Sequence, residues 1–167
     1  MRYEHEIDTV DLLMQYGNST RLQVISAHRL AAPADIARQL EIAEGKDYLR
    51  LYTLRLEEPS RQPLAVTEMW IPIRSGVPAD KLLDVATAAR TLARFLEPTK
   101  LSRVEQVFDA TTFTLEDARH LGIKKSEPAM RVQRRYRDVA GKMLLIATSL
   151  HPPGRFAYSM VLSRQHR

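Results

Sequence analysis

At 167 residues and 19.1 kDa, with 44% hydrophobic and 27% charged residues, the chain is sized for one globular domain with a real core, and a disordered chain is excluded. No run approaches the ~20 consecutive apolar residues of a membrane span, and the absence of cysteine removes disulfides, thiolate nucleophiles and Cys-ligated zinc. A formal charge of +5 and a pI near 9.7 lean toward anionic partners, and an N-terminus without an apolar core predicts a cytoplasmic protein.

In chain order, Asp8 to Gly17 has an acidic cap, apolar residues at helical spacing and a glycine stop, which predicts a short helix within a linker region over residues 1–18. Arg21 to Arg29 alternates in part and reads as a strand buried on both sides, and Pro33-Ala34-Asp35 opens a helix through Leu40. Two β-rich stretches, Tyr48 to Glu57 and Pro63 to Pro72, flank a polar loop containing Pro59 and predict an antiparallel hairpin. Val77 to Leu96 is helical in pattern, divisible into two short helices. A strand (Arg103 to Thr112), a helix (Leu115 to Leu121), a hairpin (Ala129 to Asp138 with Met143 to His151) and a last strand (Arg155 to Leu162) complete the sheet.

Ile36-Ala37-Arg38-Gln39-Leu40-Glu41-Ile42 aligns with Asp117-Ala118-Arg119-His120-Leu121-Gly122-Ile123 at a spacing of 81 residues. The same spacing sets Arg50 on Arg131 and Glu57 on Asp138. Two copies of a helix-plus-hairpin unit predict a pseudo-two-fold single domain; chance similarity of two amphipathic segments is the alternative.

Period-two alternation places Leu49, Leu51, Thr53 and Arg55 on one face of their strand, and Val132, Arg134, Tyr136 and Asp138 on one face of its counterpart. Arg131, Gln133, Arg135 and Arg137 form the opposite face, suited to water, so the mixed face is expected inward. An arginine beside core residues needs an anion or hydrogen bonds. Arg55 and Arg134 therefore either hold a ligand carboxylate or phosphate between them, or pair within the fold, Arg55 with Glu57 or Glu68 and Arg134 with Asp138. Thr67, Ser149 and Tyr158 are hydrogen-bonding groups that suit a core or a pocket. Five scattered histidines lack metal-ligand spacing, and no Gly-rich phosphate loop or nucleophile elbow is present, so neither metal, cofactor nor catalytic residue is predicted.

The ordered set Ala37 to Ile42, Leu49 to Arg55, Pro63 to Pro72, Ala118 to Ile123, Arg134 to Asp138 and Arg155 to Tyr158 resembles the UTRA domain, the effector-binding half of HutC-type GntR transcription regulators, across residues 19–164. That resemblance implies an α+β, chorismate lyase-like fold with a mainly antiparallel sheet flanked by helices. It also implies a pocket for a small metabolite and a homodimer that communicates with DNA-binding domains. The family's Arg-x-Arg strand motif falls on Thr53 and Arg55, its acidic position on Thr67, and its aspartate-arginine-aromatic turn on Gly154, Arg155 and Phe156.

With two family acids replaced, an anionic effector is expected, held by Arg55, Thr53, Thr67, Arg134, Tyr136, Ser149, Arg155 and Tyr158. A winged helix needs about 60 to 75 residues and does not fit before the first strand, so DNA is expected to be reached only through a domain outside residues 19–167. The competing reading is a chorismate lyase-like enzyme acting on a small diacid; it requires a carboxylate beside the anion-binding arginines, where Thr67 stands.

Overall fold

The computed structural model describes residues 3–6, 20–97, 100–162 and 164, so the expected helix over 8–17 lies outside the described residues. Within them, β1 (Tyr3–Glu6) and β2 (Thr20–Ala31) precede helix α1 (Ala34–Leu40), and the β3 (Asp47–Glu57) and β4 (Pro63–Pro72) hairpin follows. A single 3-10 turn leads into α2 (Ala79–Leu83) and α3 (Val85–Phe95). The second half runs β5 (Leu101–Thr112), α4 (Leu115–Leu121), β6 (Pro128–Asp138), β7 (Met143–His151) and β8 (Phe156–Ser159).

Six strands form one antiparallel sheet in the order β2-β3-β4-β7-β6-β5. Each half therefore contributes a strand, a short helix and a hairpin, and the halves meet where β4 pairs with β7. Each hairpin carries a register shift near its turn, between Arg55 and Leu56 in one and between Tyr136 and Arg137 in the other.

Two sequence expectations are corrected. β2 is an outer strand of the sheet, with only Thr20 and Val24 buried, and not a strand covered on both sides. β8 does not complete the large sheet. It pairs in parallel with β1 in a separate two-stranded sheet, Tyr3 opposite Phe156 and Glu6 opposite Ser159.

Helices cover both faces of the large sheet. On one, Ala88, Leu92 and Phe95 project from one side of α3, at the spacing that an α-helix stacks, and bury against Val24, Leu49, Leu51, Met69 and Ile71. The β5–β6 half of this face is covered by Phe156 of β8, packed on Val104, Met130 and Tyr136. On the other face, α1 seats Ala37 and Leu40 on Tyr48, Met143 and Ile146, while α4 seats Ala118 and Leu121 on Leu54, Val66 and Phe113. The α4 N-terminus is closed by a capping box, in which Thr114 Oγ1 accepts from Asp117 N at 3.1 Å and an Asp117 carboxylate oxygen accepts from Thr114 N at 3.0 Å. Among the described residues, no helix is long and apolar enough to cross a membrane.

Candidate functional site: a buried cationic patch on the sheet

The face beneath α3 and β8 turns polar at its middle. Register carries a row straight across the sheet, from Thr53 on β3 to Thr67 on β4, Ser149 on β7 and Val132 on β6. All three hydroxyl residues are buried, and they bond along the row: Thr53 Oγ1 donates to the Thr67 carbonyl at 3.0 Å, and the Thr67 and Ser149 hydroxyls meet at 2.7 Å. Neighbouring rows supply small side chains beside the hydroxyls, Ala65 next to Arg55 and Ala147 next to Arg134. A β-carbon alone at these positions leaves the long arginine side chains room to lie over the row.

Arg134 is 5% exposed. Its Nε donates to Gln106 Oε1 at 2.7 Å, but its Nη2 is buried without a hydrogen-bond partner. A buried guanidinium nitrogen left unpaired loses its hydration without compensation, at a cost of about 1–3 kcal/mol or more. Neither internal pairing considered for the two arginines is formed as expected. Asp138 accepts from the Ala140 and Lys142 amides of its own turn, Glu57 accepts from Ser60, and Glu68 is bound by Arg50 and Trp70 on the opposite face. Arg55 reaches Thr20 Oγ1 at 3.1 Å.

His151 is indistinguishable in sequence from the other scattered histidines, yet alternation from Ser149 puts it on this same face. It is 3% exposed, its ring stacks on Phe156 at 4.4 Å between centroids, and neither ring nitrogen has a hydrogen-bond partner. Burial lowers its pKa to about 3, assisted by the Arg134 charge; the Leu64 backbone pulls the other way, and Arg55 adds a smaller lowering. The imidazole is therefore neutral at physiological pH.

The remaining expected residues divide. Tyr136 lies on the same face, half-buried beneath Phe156. Tyr158 belongs to β8, its ring 4.6 Å from Phe108. Arg155 is used elsewhere: its Nη1 donates to the Pro63 carbonyl at 3.0 Å and to the Leu121 carbonyl at 2.6 Å, tying the β7–β8 connection to the C-terminus of α4. Exposed carbonyls at a helix end attract a cation, which explains why this guanidinium bonds there.

A concavity of about 750 Å³ lies on the opposite face between α1 and α4. Several of its polar groups satisfy one another. Arg50 and Trp70 bind Glu68, Arg131 binds Asp109, and Tyr52 Oη donates to Asp117 at 2.8 Å; burial, with that hydrogen bond, raises the tyrosine pKa. Unsatisfied chemistry instead favours the Arg134–His151 patch. A ligand is attracted by donors that lack partners, which makes the patch the stronger candidate.

No curated protein matches the chain. Solved structures do, at a level that establishes the fold. The effector domain of PhnF from Mycobacterium smegmatis superposes with a TM-score of 0.78 at 14% identity, covering 96% of this chain and 99% of that one. The ligand-binding domain of a GntR-family regulator from Bordetella bronchiseptica gives 0.72 at 20% identity, covering 86% and 89%. The C-terminal domain of the histidine utilization repressor from Pseudomonas syringae pv. tomato gives 0.67 at 20% identity, covering 89% and 99%. The UTRA domain family matches residues 15–157, most of the sequence. With that match and the six-stranded fold in agreement, the chain belongs to the UTRA domain family.

Proposed function

We propose that this domain is the effector-binding, dimerising part of a GntR-type transcription regulator and that it senses a small metabolite bearing a carboxylate or phosphate. Binding is read out by a DNA-binding module carried outside the described residues. The observation that carries this reading is Arg134 Nη2, buried and unpaired, on the sheet face that also carries the hydroxyl row and a neutral imidazole. An oxyanion supplies what that nitrogen lacks, because guanidinium and carboxylate or phosphate match in charge and geometry.

Ligand recognition is favoured over turnover by the residues this face presents. Thr53 and Arg55, Thr67 and Met69, Val132 and Arg134, and Ser149 and His151 include no carboxylate to serve as an acid or base. One solved relative is the ligand-binding domain of a GntR-family transcriptional regulator and another is the effector domain of PhnF, which supports the same reading. Coupling to DNA requires that the anion bind one arrangement of the dimer more tightly than the other.

The test is a thermal-shift screen of the chain against phosphorylated sugars and small mono- and dicarboxylates, repeated with Arg134→Met. A ligand at a hundred times its Kd stabilises the native state by about 2.7 kcal/mol, a rise of several degrees for a domain of this size. Methionine keeps the buried stem and removes the charge, so the rise should vanish. A screen with no stabilising anion, or a rise unchanged in Arg134→Met, overturns the proposal.

A further inference from the structure

Among the described residues, His151 is the one ring on the site face with both nitrogens buried and unpartnered; Arg134, which holds the one guanidinium nitrogen in the same condition, stands on the same face, their rows flanking the Val132–Ser149 row, and its charge acts on the ring. The charged groups acting on it are Arg134 from β6 and Arg55 from β3; β4 brings the Leu64 backbone, and β8 brings only the apolar Phe156 ring. No acid faces it from these elements. Three unused positions, Arg134 Nη2 and the two ring nitrogens, thus lie buried on one cationic face of the sheet. The Phe156 stack at 4.4 Å holds the imidazole there.

Resting on the reading of this patch as the effector site, we propose that His151 contacts the ligand, that with Arg134 it forms one oxyanion subsite, and that the anion enters together with a proton taken up by the imidazole. Neutral imidazole offers one donor, whereas imidazolium offers two. An anion beside it offsets the burial and the Arg134 charge that keep the ring neutral, so its affinity for protons rises on binding. Linkage fixes the sign. Between the proton affinities of the free and occupied sites, each unit fall in pH tightens anion binding by up to about tenfold, and above that window this group contributes no pH dependence. The domain would then report anion concentration weighted by acidity, and would prefer ligands with an acceptor oxygen on each side of the ring–guanidinium pair.

The experiment uses sulfate, which stays a dianion from about pH 5 to 8, the range in which histidines ordinarily titrate, so pH dependence belongs to the protein. Sulfate affinity is measured by calorimetry across that range for the unaltered chain, Arg134→Met, His151→Phe and His151→Asn, while NMR follows the His151 ring nitrogens in the unaltered chain. We expect tightening of at least several-fold toward low pH, loss of that slope in both His151 variants, and a ring that becomes protonated on sulfate saturation. Acetate in a parallel arm separates a carboxylate reader from one that needs a tetrahedral anion, and proton uptake with either supports the proposal. Sulfate binding that is abolished in Arg134→Met but pH-independent and unaltered in the His151 variants overturns this inference and leaves the effector site standing. Absence of binding by both anions overturns the two together.

Discussion

Glu41 and Gly122 occupy the same left-handed position one residue past helices α1 and α4, at φ 58° and 65°, and each cap donates back to two carbonyls of its helix. Glycine adopts this conformation without strain, whereas a side chain there costs about 1–2 kcal/mol. Glu41 is retained with a partner, its carboxylate receiving Arg137 Nη1 and Nη2 at 2.9 and 2.7 Å. Hydrogen bonding to Arg137 lowers the Glu41 pKa.

Space beside Gly122 is open, with no neighbouring atom within 4 Å of where a β-carbon would sit, so only the backbone conformation resists substitution. Gly122→Ala should cost about 1 kcal/mol. Glu41→Gly should change stability by less than about 1 kcal/mol in either direction, because relief of strain offsets a partly exposed ion pair. Urea denaturation measures both, and a loss above about 2 kcal/mol in Glu41→Gly would contradict this balance.

In the proposed site, Arg134 serves binding at the expense of the fold. In the absence of ligand, Arg134→Met should be as stable as the parent or up to about 2 kcal/mol more stable, since a buried, incompletely paired cation is replaced by an apolar stem. Thermal melts in anion-free buffer check this. A large destabilisation would mean that the guanidinium is satisfied inside the protein.

The contact between Thr67 and Ser149 joins the two central strands through their side chains. Thr67→Val or Ser149→Ala alone should cost about 1–3 kcal/mol, because each leaves a buried hydroxyl unpaired, while the double variant should cost less than the sum of the two. A double-mutant cycle reads the coupling directly, and strict additivity would refute a mutual bond.

His151 makes the domain acid-sensitive. The folded pKa is depressed to about 3 from 6.5, so the unfolded chain binds the proton that the folded chain refuses. Stability from this group is fully present above about pH 6.5 and is lost progressively toward about pH 3, on the order of several kcal/mol in total. Denaturation midpoints at pH 7, 5 and 4 should fall more steeply for the parent than for His151→Phe, which keeps the stack on Phe156. Equal slopes would show that the ring is already protonated or hydrated.

The large elements are legible because their signals are local. Apolar spacing and turn residues mark α3 and both hairpins, and alternation alone puts Thr53, Arg55 and Arg134 on one face. Partnership is not legible. Tyr3–Glu6 carries no alternating apolar residues, so nothing marks β1 as a strand, nor the parallel pairing that takes β8 out of the main sheet. The loss of Arg155 to two backbone carbonyls depends on where α4 ends in space, which no spacing encodes. His151 could have been found, since it stands two residues beyond Ser149 on an alternating strand. What conceals it is that the five histidines are scattered without metal-ligand spacing, which gives no reason to single this one out.

The short parallel sheet joins the site to the start of the chain. Phe156, whose ring lies on His151, is also the residue opposite Tyr3 in the β1–β8 ladder. Any tilt of the imidazole must be accommodated by Phe156, and a displaced Phe156 drags the first strand with it. Ligand chemistry at the proposed site and force on Tyr3–Glu6 therefore act on opposite ends of one short lever.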